Sequence, residues 1–323
     1  VTKPVPGAAP IADRGRRVTK DRGAVTKPVP GAARIADRGY QHYTGRRVGG
    51  GHAFWTLARG ALDRALGRRR KVSFATVLKY LAVLFANVPI VFTLATQTAT
   101  GDHNFSYPNY LSAISLLSIL FAALVAPDLL CPDRRERVLT LYFAVPITRL
   151  QYLLANAAAL TALMLAITLL PLLVYFVGAT VLSGSALGYA GDHRGDLWHL
   201  LLGGTLAAGY YAVLALLAAG FNDRRAYAAA AFLGTLLVSA AASAILSQGM
   251  RFGGHERFAL LDLLQLPIRA TRWLFGVPPE VANANRIPPY IPTVDGVAYV
   301  GMTLALIVLA IGAVVWHYLR SAD

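Results

Sequence analysis

The sequence predicts an all-α, polytopic membrane protein with six transmembrane helices, and three observations carry that prediction. Six apolar stretches fill the chain from Val77 to near its end, each with the ~20 residues that a bilayer core requires of a spanning helix. Composition agrees: of 323 residues 56% are hydrophobic and only 15% charged, and the mean hydropathy is +0.50, values outside the range of soluble globular domains. Finally, the short polar connections alternate between arginine-rich and arginine-poor, the pattern that sets sidedness in a bilayer.

The first 50 residues read as a disordered basic tail. Val1–Gly15 recurs as Val25–Gly39, differing only at Pro10 and Arg34. Two copies rich in Pro, Gly, Ala and Arg bury almost nothing, so disorder is favoured over a binding module. Through Lys71 the chain holds 17 Lys+Arg against 4 Asp+Glu, whereas the remainder holds 14 against 12. The formal charge of +15 therefore belongs mainly to this tail. No aromatic interleaving points to nucleic acid, and attraction to anionic lipid is the more economical role. No secretory signal with a short apolar core is visible near the start.

Residues 52–71 follow with Phe54, Ala58, Ala61, Leu62, Ala65 and Leu66 at helical spacing, and with Arg59, Asp63, Arg64 and Arg68 elsewhere on the wheel. Trp55 and the run Arg68-Arg69-Arg70-Lys71 fit an amphipathic helix in the headgroup plane. A solvated helix packed on a partner is the alternative.

The spans are expected near Val77–Gln97, Tyr110–Leu130, Tyr152–Leu182, Leu197–Phe221, Tyr227–Leu246 and Val297–Leu319. Pro171 is a candidate kink in the long third span. Between spans two and three lie Arg134, Arg135, Arg137 and Arg149; between four and five lie Arg224 and Arg225. Thr98–Asn109 has no Lys or Arg, and Ser183–Asp196 sets Arg194 against two aspartates. The positive-inside rule then places the arginine loops and both termini in the cytoplasm.

The connection 247–296 is expected outside. Within it Phe258–Phe275 is apolar but carries Asp262, Pro267, Arg269 and Arg272, so a re-entrant or interfacial helical pair broken at Pro267 fits better than a seventh span.

Polar groups within the spans are few. Asn87, Thr93, Thr96 and Gln97 mark the first, and Ser112, Ser115 and Ser118 form a stripe on the second. They line a substrate pathway or hydrogen-bond neighbouring helices, and the second is the commoner use. Asp128 is placed to pair with Arg134 or Arg135. Gly203, Gly204, Ala207 and Ala208 permit close helix contact. Cys131 is the single cysteine, and His103, His193 and His255 fall in separate connections, so neither a thiolate cluster nor a metal centre is expected.

The most informative connection is 133–149, DRRERVLTLYFAVPITR. A charged start, an apolar middle and a Pro-x-Thr-Arg stop describe a short helix laid across the ends of two spans. This segment resembles the loop of ABC-2 type permeases, the membrane subunits of ABC transporters. Leu139, Leu141, Tyr142 and Phe143 match that family's apolar run, and Pro146-Ile147-Thr148-Arg149 matches its stop. The family's Gly-Thr is replaced by Arg137-Val138. Six spans, an amphipathic helix before the first and a re-entrant element before the last also agree. The resemblance runs from about Gly51 to Asp323 and omits the tail.

That resemblance implies a coupling helix docked on a separate ATPase subunit, carried by Arg134, Arg135, Glu136, Arg137, Leu141, Phe143, Pro146 and Arg149. Arg224 and Arg225 would make a second cytoplasmic contact. It further implies a second copy of the chain or a similar permease, export of an unidentified substrate, and a plasma membrane location. The Ala- and Arg-rich composition points to a GC-rich bacterial genome. No GxxxxGK[ST] motif is present, so this chain is expected to bind no cofactor and to leave ATP and Mg²⁺ to the partner. The other classes are a secondary transporter or channel, and an integral-membrane enzyme. Against the enzyme, neither H-E-x-x-H nor G-x-S-x-G occurs.

Overall fold

A computed structural model describes residues 50–67, 74–100, 106–135, 148–183, 193–249, 255–278 and 294–320, with 188 and 191. The described residues are helical: α1 (Gly50–Ala65), α2 (Phe74–Thr100), α3 (Tyr107–Arg135), α4 (Arg149–Leu182), α5 (Arg194–Phe221), α6 (Arg225–Gly249), a 3-10 helix (His255–Leu261), α7 (Leu266–Leu274) and α8 (Gly296–Arg320). Six of them, α2 to α6 and α8, are long and apolar enough to cross a membrane. This is a multi-pass, all-α membrane protein. The duplicated tail lies outside the described residues.

Burial divides the six into a core and a periphery. The most apolar stretches of α3, α4 and α5 are 72%, 56% and 56% buried within the protein, against 22%, 17% and 22% for α2, α6 and α8. Helices α3, α4 and α5 pack against one another, α2 lies on α3 and α4, α6 on α3 and α5, and α8 chiefly on α5. The peripheral helices turn Phe85, Phe92, Val238, Ile245, Val308 and Leu309 outward, which is the surface hydrocarbon chains accept without penalty. Small residues make the core contacts close. A Cβ on Gly203 would sit 2.5 Å from Thr271 Cγ2, and one on Gly204 would collide with Leu169. These glycines therefore serve contacts within the chain.

Helix α1 ends where Gly67 takes φ 71°, a conformation that favours glycine. The apolar stripe read from the sequence faces the bundle: Ala61 and Ala65 are buried and Leu62 and Leu66 pack against the core, while Trp55, off that stripe, is 67% exposed. Arg64, expected on the outer face, points inward and is held by Asp133.

Prolines do not break the long helices. Pro171 lies inside α4, which runs unbroken from Arg149 to Leu182, and α3 continues through Pro127 and Pro132. Residues 131–135, assigned from sequence to a loop, are the last turns of α3.

The segment before α8 is a helical hairpin packed on α5 and α6. Phe258 O accepts from Ser243 of α6, and Leu263 N donates to Ser239 one turn deeper. Tyr210 and Tyr211 of α5 donate to the carbonyls of Leu263 and Leu264 at 3.0 and 2.8 Å. The chain then climbs back: Thr271 reaches Gly203, Arg272 reaches Asn109, and Phe275 meets His199 and Tyr107. Contacts thus run from His199 to Tyr211 along α5, a descent of ~18 Å at 1.5 Å per residue.

The break falls at Asp262–Gln265, not at Pro267. Asp262 accepts from Gln265 N through Oδ1, pairs with Arg269 at 3.1 Å and is 7% exposed. Pro267 stands in the first turn of α7, where its missing N–H costs nothing. Gly276, φ 68°, closes that helix: its N–H donates to Trp273 O while Val277 N donates to Arg272 O, a Schellman turn. Burial lowers the Arg272 pKa from its ordinary value, but arginine stays protonated at any working pH.

Candidate functional site at the charged end of the bundle

One end of the bundle gathers three ion pairs, Arg64–Asp133, Lys79–Asp128 and Arg225–Asp128. It is formed by α1, the start of α2, the end of α3, the start of α4 and the α5–α6 turn. Two clusters lie there. In the first, Arg64 Nη1 donates to both carboxylate oxygens of Asp133 at 2.9 Å, and Nη2 reaches Asn156 Oδ1 at 3.4 Å. Tyr152 donates to Asp133 Oδ2 at 2.6 Å. Helices α1, α3 and α4 are joined through this one carboxylate.

In the second cluster Lys79 is 4% exposed. A cationic amine buried so deeply must be paired and fully hydrogen-bonded. It donates to Ala65 O at 2.9 Å and to Asp128 Oδ2 at 2.5 Å. Asp128 Oδ1 accepts from Arg225 at 2.7 Å. The arrangement ties α1, α2, α3 and α6 together and gives Asp128 two partners the sequence reading did not name, while the Arg134 side chain lies outside the described residues.

The second cluster borders a cleft of about 700 Å³ lined by Cys131, Pro132, Arg135, Asp223, Arg224, Arg225 and Ala226. Arg135 is exposed at the last residue of α3. Arg224 lies over the Tyr227 ring, its guanidinium carbon 5.6 Å from the centroid. Cys131 Sγ lies 3.3 Å from Asn222 O, holding the α3 end against the α5–α6 turn. Arg135, Arg224 and Arg225, separated by about 90 positions in the chain, thus meet around one opening.

Of the other residues assigned to the coupling segment, Glu136, Arg137, Leu141, Phe143 and Pro146 lie outside the described residues, as does the side chain of Arg134. Arg149 is the first residue of α4. Immediately before it, Thr148 Oγ1 accepts from Gln151 N at 3.2 Å and Gln151 Oε1 accepts from Thr148 N at 3.0 Å. This capping box satisfies two otherwise orphaned donors at the start of α4. The Thr-x-x-Gln spacing is visible in the sequence.

The polar residues proposed for a pathway are turned onto their own helices. Asn87 donates to Val83 O, Thr93 to Pro89 O, Ser112 to Pro108 O and Ser115 to Ser112 O. Ser118 is buried, with no hydrogen bond among the described residues, and the side chain of Gln97 lies outside them. The bonds to carbonyls three or four residues back satisfy these groups locally, and they join no two helices.

Lys79 and Arg64 are the residues that sequence reasoning missed. Lys79 had a signal: a single lysine five residues into an apolar span, with Asp128 the one acid in the next. An ionisable group inside a span calls for a named partner.

No protein-family model matches this chain, and no curated protein matches it.

Proposed function

We propose that this protein is the membrane permease subunit of an ABC transporter, moving its substrate with energy from a separate ATPase subunit. The single observation that carries the reading is the segment 133–149, whose Pro146-Ile147-Thr148-Arg149 stop resembles that of ABC-2 type permeases. The geometry at its two ends supports the reading. The segment leaves the last turn of α3 at Arg135 and enters α4 through the Thr148 capping box. Its two ends thus join directly to two core helices. Asp133 and Asp128 extend that connection to α1, α2 and α6 through buried ion pairs. Packed side chains and ion-pair networks of this kind carry mechanical coupling.

In this reading the charged end faces the cytoplasm, the chain binds no nucleotide, and a second copy or a similar permease completes the pathway. Export across the plasma membrane is the expected direction. The test is purification of the chain from its native membrane with assay of the ATPase subunit that accompanies it, comparing wild type with Leu141→Ala and Phe143→Ala. Both variants are expected to insert normally and to lose ATPase association and transport-coupled hydrolysis. Unchanged association and unchanged coupled hydrolysis in both would refute the docking role.

One observation favours a second reading. Lys79 and Asp128 place an ion pair inside the spans, and such pairs serve proton or cation coupling in secondary transporters. Transport that persists without any ATPase and collapses with the proton gradient would select it.

A further inference from the structure

The cleft at the charged end has the composition and the depth of a lipid headgroup site. We propose that it binds the phosphate of an anionic phospholipid between the end of α3 and the α5–α6 turn. This inference rests on the six-span reading and not on the ATPase partner.

Charge is the first argument. Among the described residues, three guanidiniums, from Arg135, Arg224 and Arg225, line the cleft with one carboxylate, that of Asp223. Arg225 is already held by Asp128, yet its side chain remains 45% exposed, and Asp128 is also held by Lys79. Arg135 and Arg224 have no carboxylate partner among the described residues; Arg224 has only the Tyr227 ring beneath it. Guanidinium forks left with open donors are matched in geometry to phosphate oxygens. A phosphate drawn to Arg135 and Arg224 bridges two elements that otherwise repel each other there.

Depth is the second argument. Helix α3 has 29 residues and α5 has 28, so each is ~42 Å long against a hydrocarbon core of ~30 Å. Their ends at Arg135 and Phe221 therefore project into the headgroup layer. A soluble anion would meet an open aqueous surface there, but this cleft has apolar flanks. Phe221 is 49% exposed and Tyr227 60% exposed on either side of the turn, which is where acyl chains would run. Trp316 and Arg320 stand exposed near the end of α8, with His317 stacked on Phe221 at 4.3 Å. Aromatic and basic residues in that combination mark a headgroup boundary.

The occupant is thus a phosphodiester carried on two acyl chains with net negative charge, because a zwitterionic headgroup would bring its own cation to three arginines. The test uses the full chain purified in detergent, without any ATPase. Thermal unfolding and native mass spectrometry are read with added phosphatidylglycerol, phosphatidylcholine or sodium phosphate. Phosphatidylglycerol is expected to remain bound and to raise the unfolding temperature, with phosphatidylcholine inert. Arg135→Gln with Arg224→Gln removes two charge-assisted contacts and is expected to weaken phosphatidylglycerol binding by about tenfold or more. Arg135→Lys with Arg224→Lys keeps the charge and is expected to retain most binding. Arg59→Gln, exposed on α1 outside the cleft, controls for bulk charge and is expected to change nothing. Equal retention by the double glutamine variant, or an equal loss in Arg59→Gln, would overturn the site. If that double variant does not yield folded protein, Arg224→Gln alone is read against the same criteria. Sodium phosphate matching the effect of phosphatidylglycerol at equal concentration would overturn the lipid assignment. Because no ATPase takes part, failure here leaves the transport reading standing, and the reverse holds.

Discussion

Lys79 and Asp128 set opposite charges inside helices that are otherwise apolar, and the side chain of Lys79 is 5% exposed against 18% for Asp128. Taking either ion out of water is expensive, so the pair stands only because both partners are satisfied. Replacing Lys79 by Met leaves Asp128 with Arg225 alone. The expected cost is on the order of 2 kcal/mol, short of the ~3–5 kcal/mol of a fully orphaned ion, because Arg225 stays. Lys79→Met should therefore lower the unfolding temperature in detergent, and adding Asp128→Leu should recover part of the loss. A double variant less stable than the single one would contradict that account. Tyr152→Phe removes one hydroxyl from the Asp133 carboxylate and should cost ~1.5–3 kcal/mol, as bonds to charged groups do; the same unfolding assay reads it. None of this is in the hydrophobic pattern. That pattern places Asp128 at the end of α3 but does not say which cation from a distant helix arrives beside it.

At the scale of elements the hairpin between α6 and α8 shows what a sequence carries and what it leaves out. Two arginines, an aspartate and a proline inside an apolar run exclude a spanning helix, and that much is legible. The position of the break is not, because proline is as acceptable at a helix start as it is disruptive within one. Asp262, capping the turn and holding Arg269, sets the break ahead of the proline, which falls inside the first turn of α7. The turn is then anchored by Tyr210 and Tyr211, long-range partners that no local spacing discloses. Tyr210→Phe with Tyr211→Phe should raise hydrogen exchange at residues 262–265 while the centres of α3 and α4 keep their protection. Equal exchange in both proteins would show that the carbonyls are satisfied some other way. Gly203→Leu is a packing test of the same element. Its side chain meets Thr271, and overpacking of this kind costs ~1–3 kcal/mol, so exchange should rise across α7 and fall off towards α3.

For the whole molecule, helix number, order and approximate ends follow from apolar length alone, since a bilayer admits few other solutions. What length does not supply is the division into three buried and three peripheral helices, which depends on Gly203, Gly204 and their neighbours meeting particular side chains. The functional end is legible in part. Arg135, Arg224 and Arg225 are singled out by the loops they occupy, and the fold gathers them around one cleft, while the partners of Lys79 and Arg64 emerge only from tertiary packing. The proposed permease role requires this end to face the cytoplasm and the α4–α5 connection to lie on the other side. Cysteine labelling measures that directly. In a Cys131→Ser background, Arg135→Cys and Gly191→Cys are treated in intact cells with a membrane-impermeant maleimide. The account predicts that Gly191→Cys reacts at once and that Arg135→Cys reacts only after the membrane is permeabilised. Labelling of Arg135→Cys from outside, with Gly191→Cys protected, would contradict it.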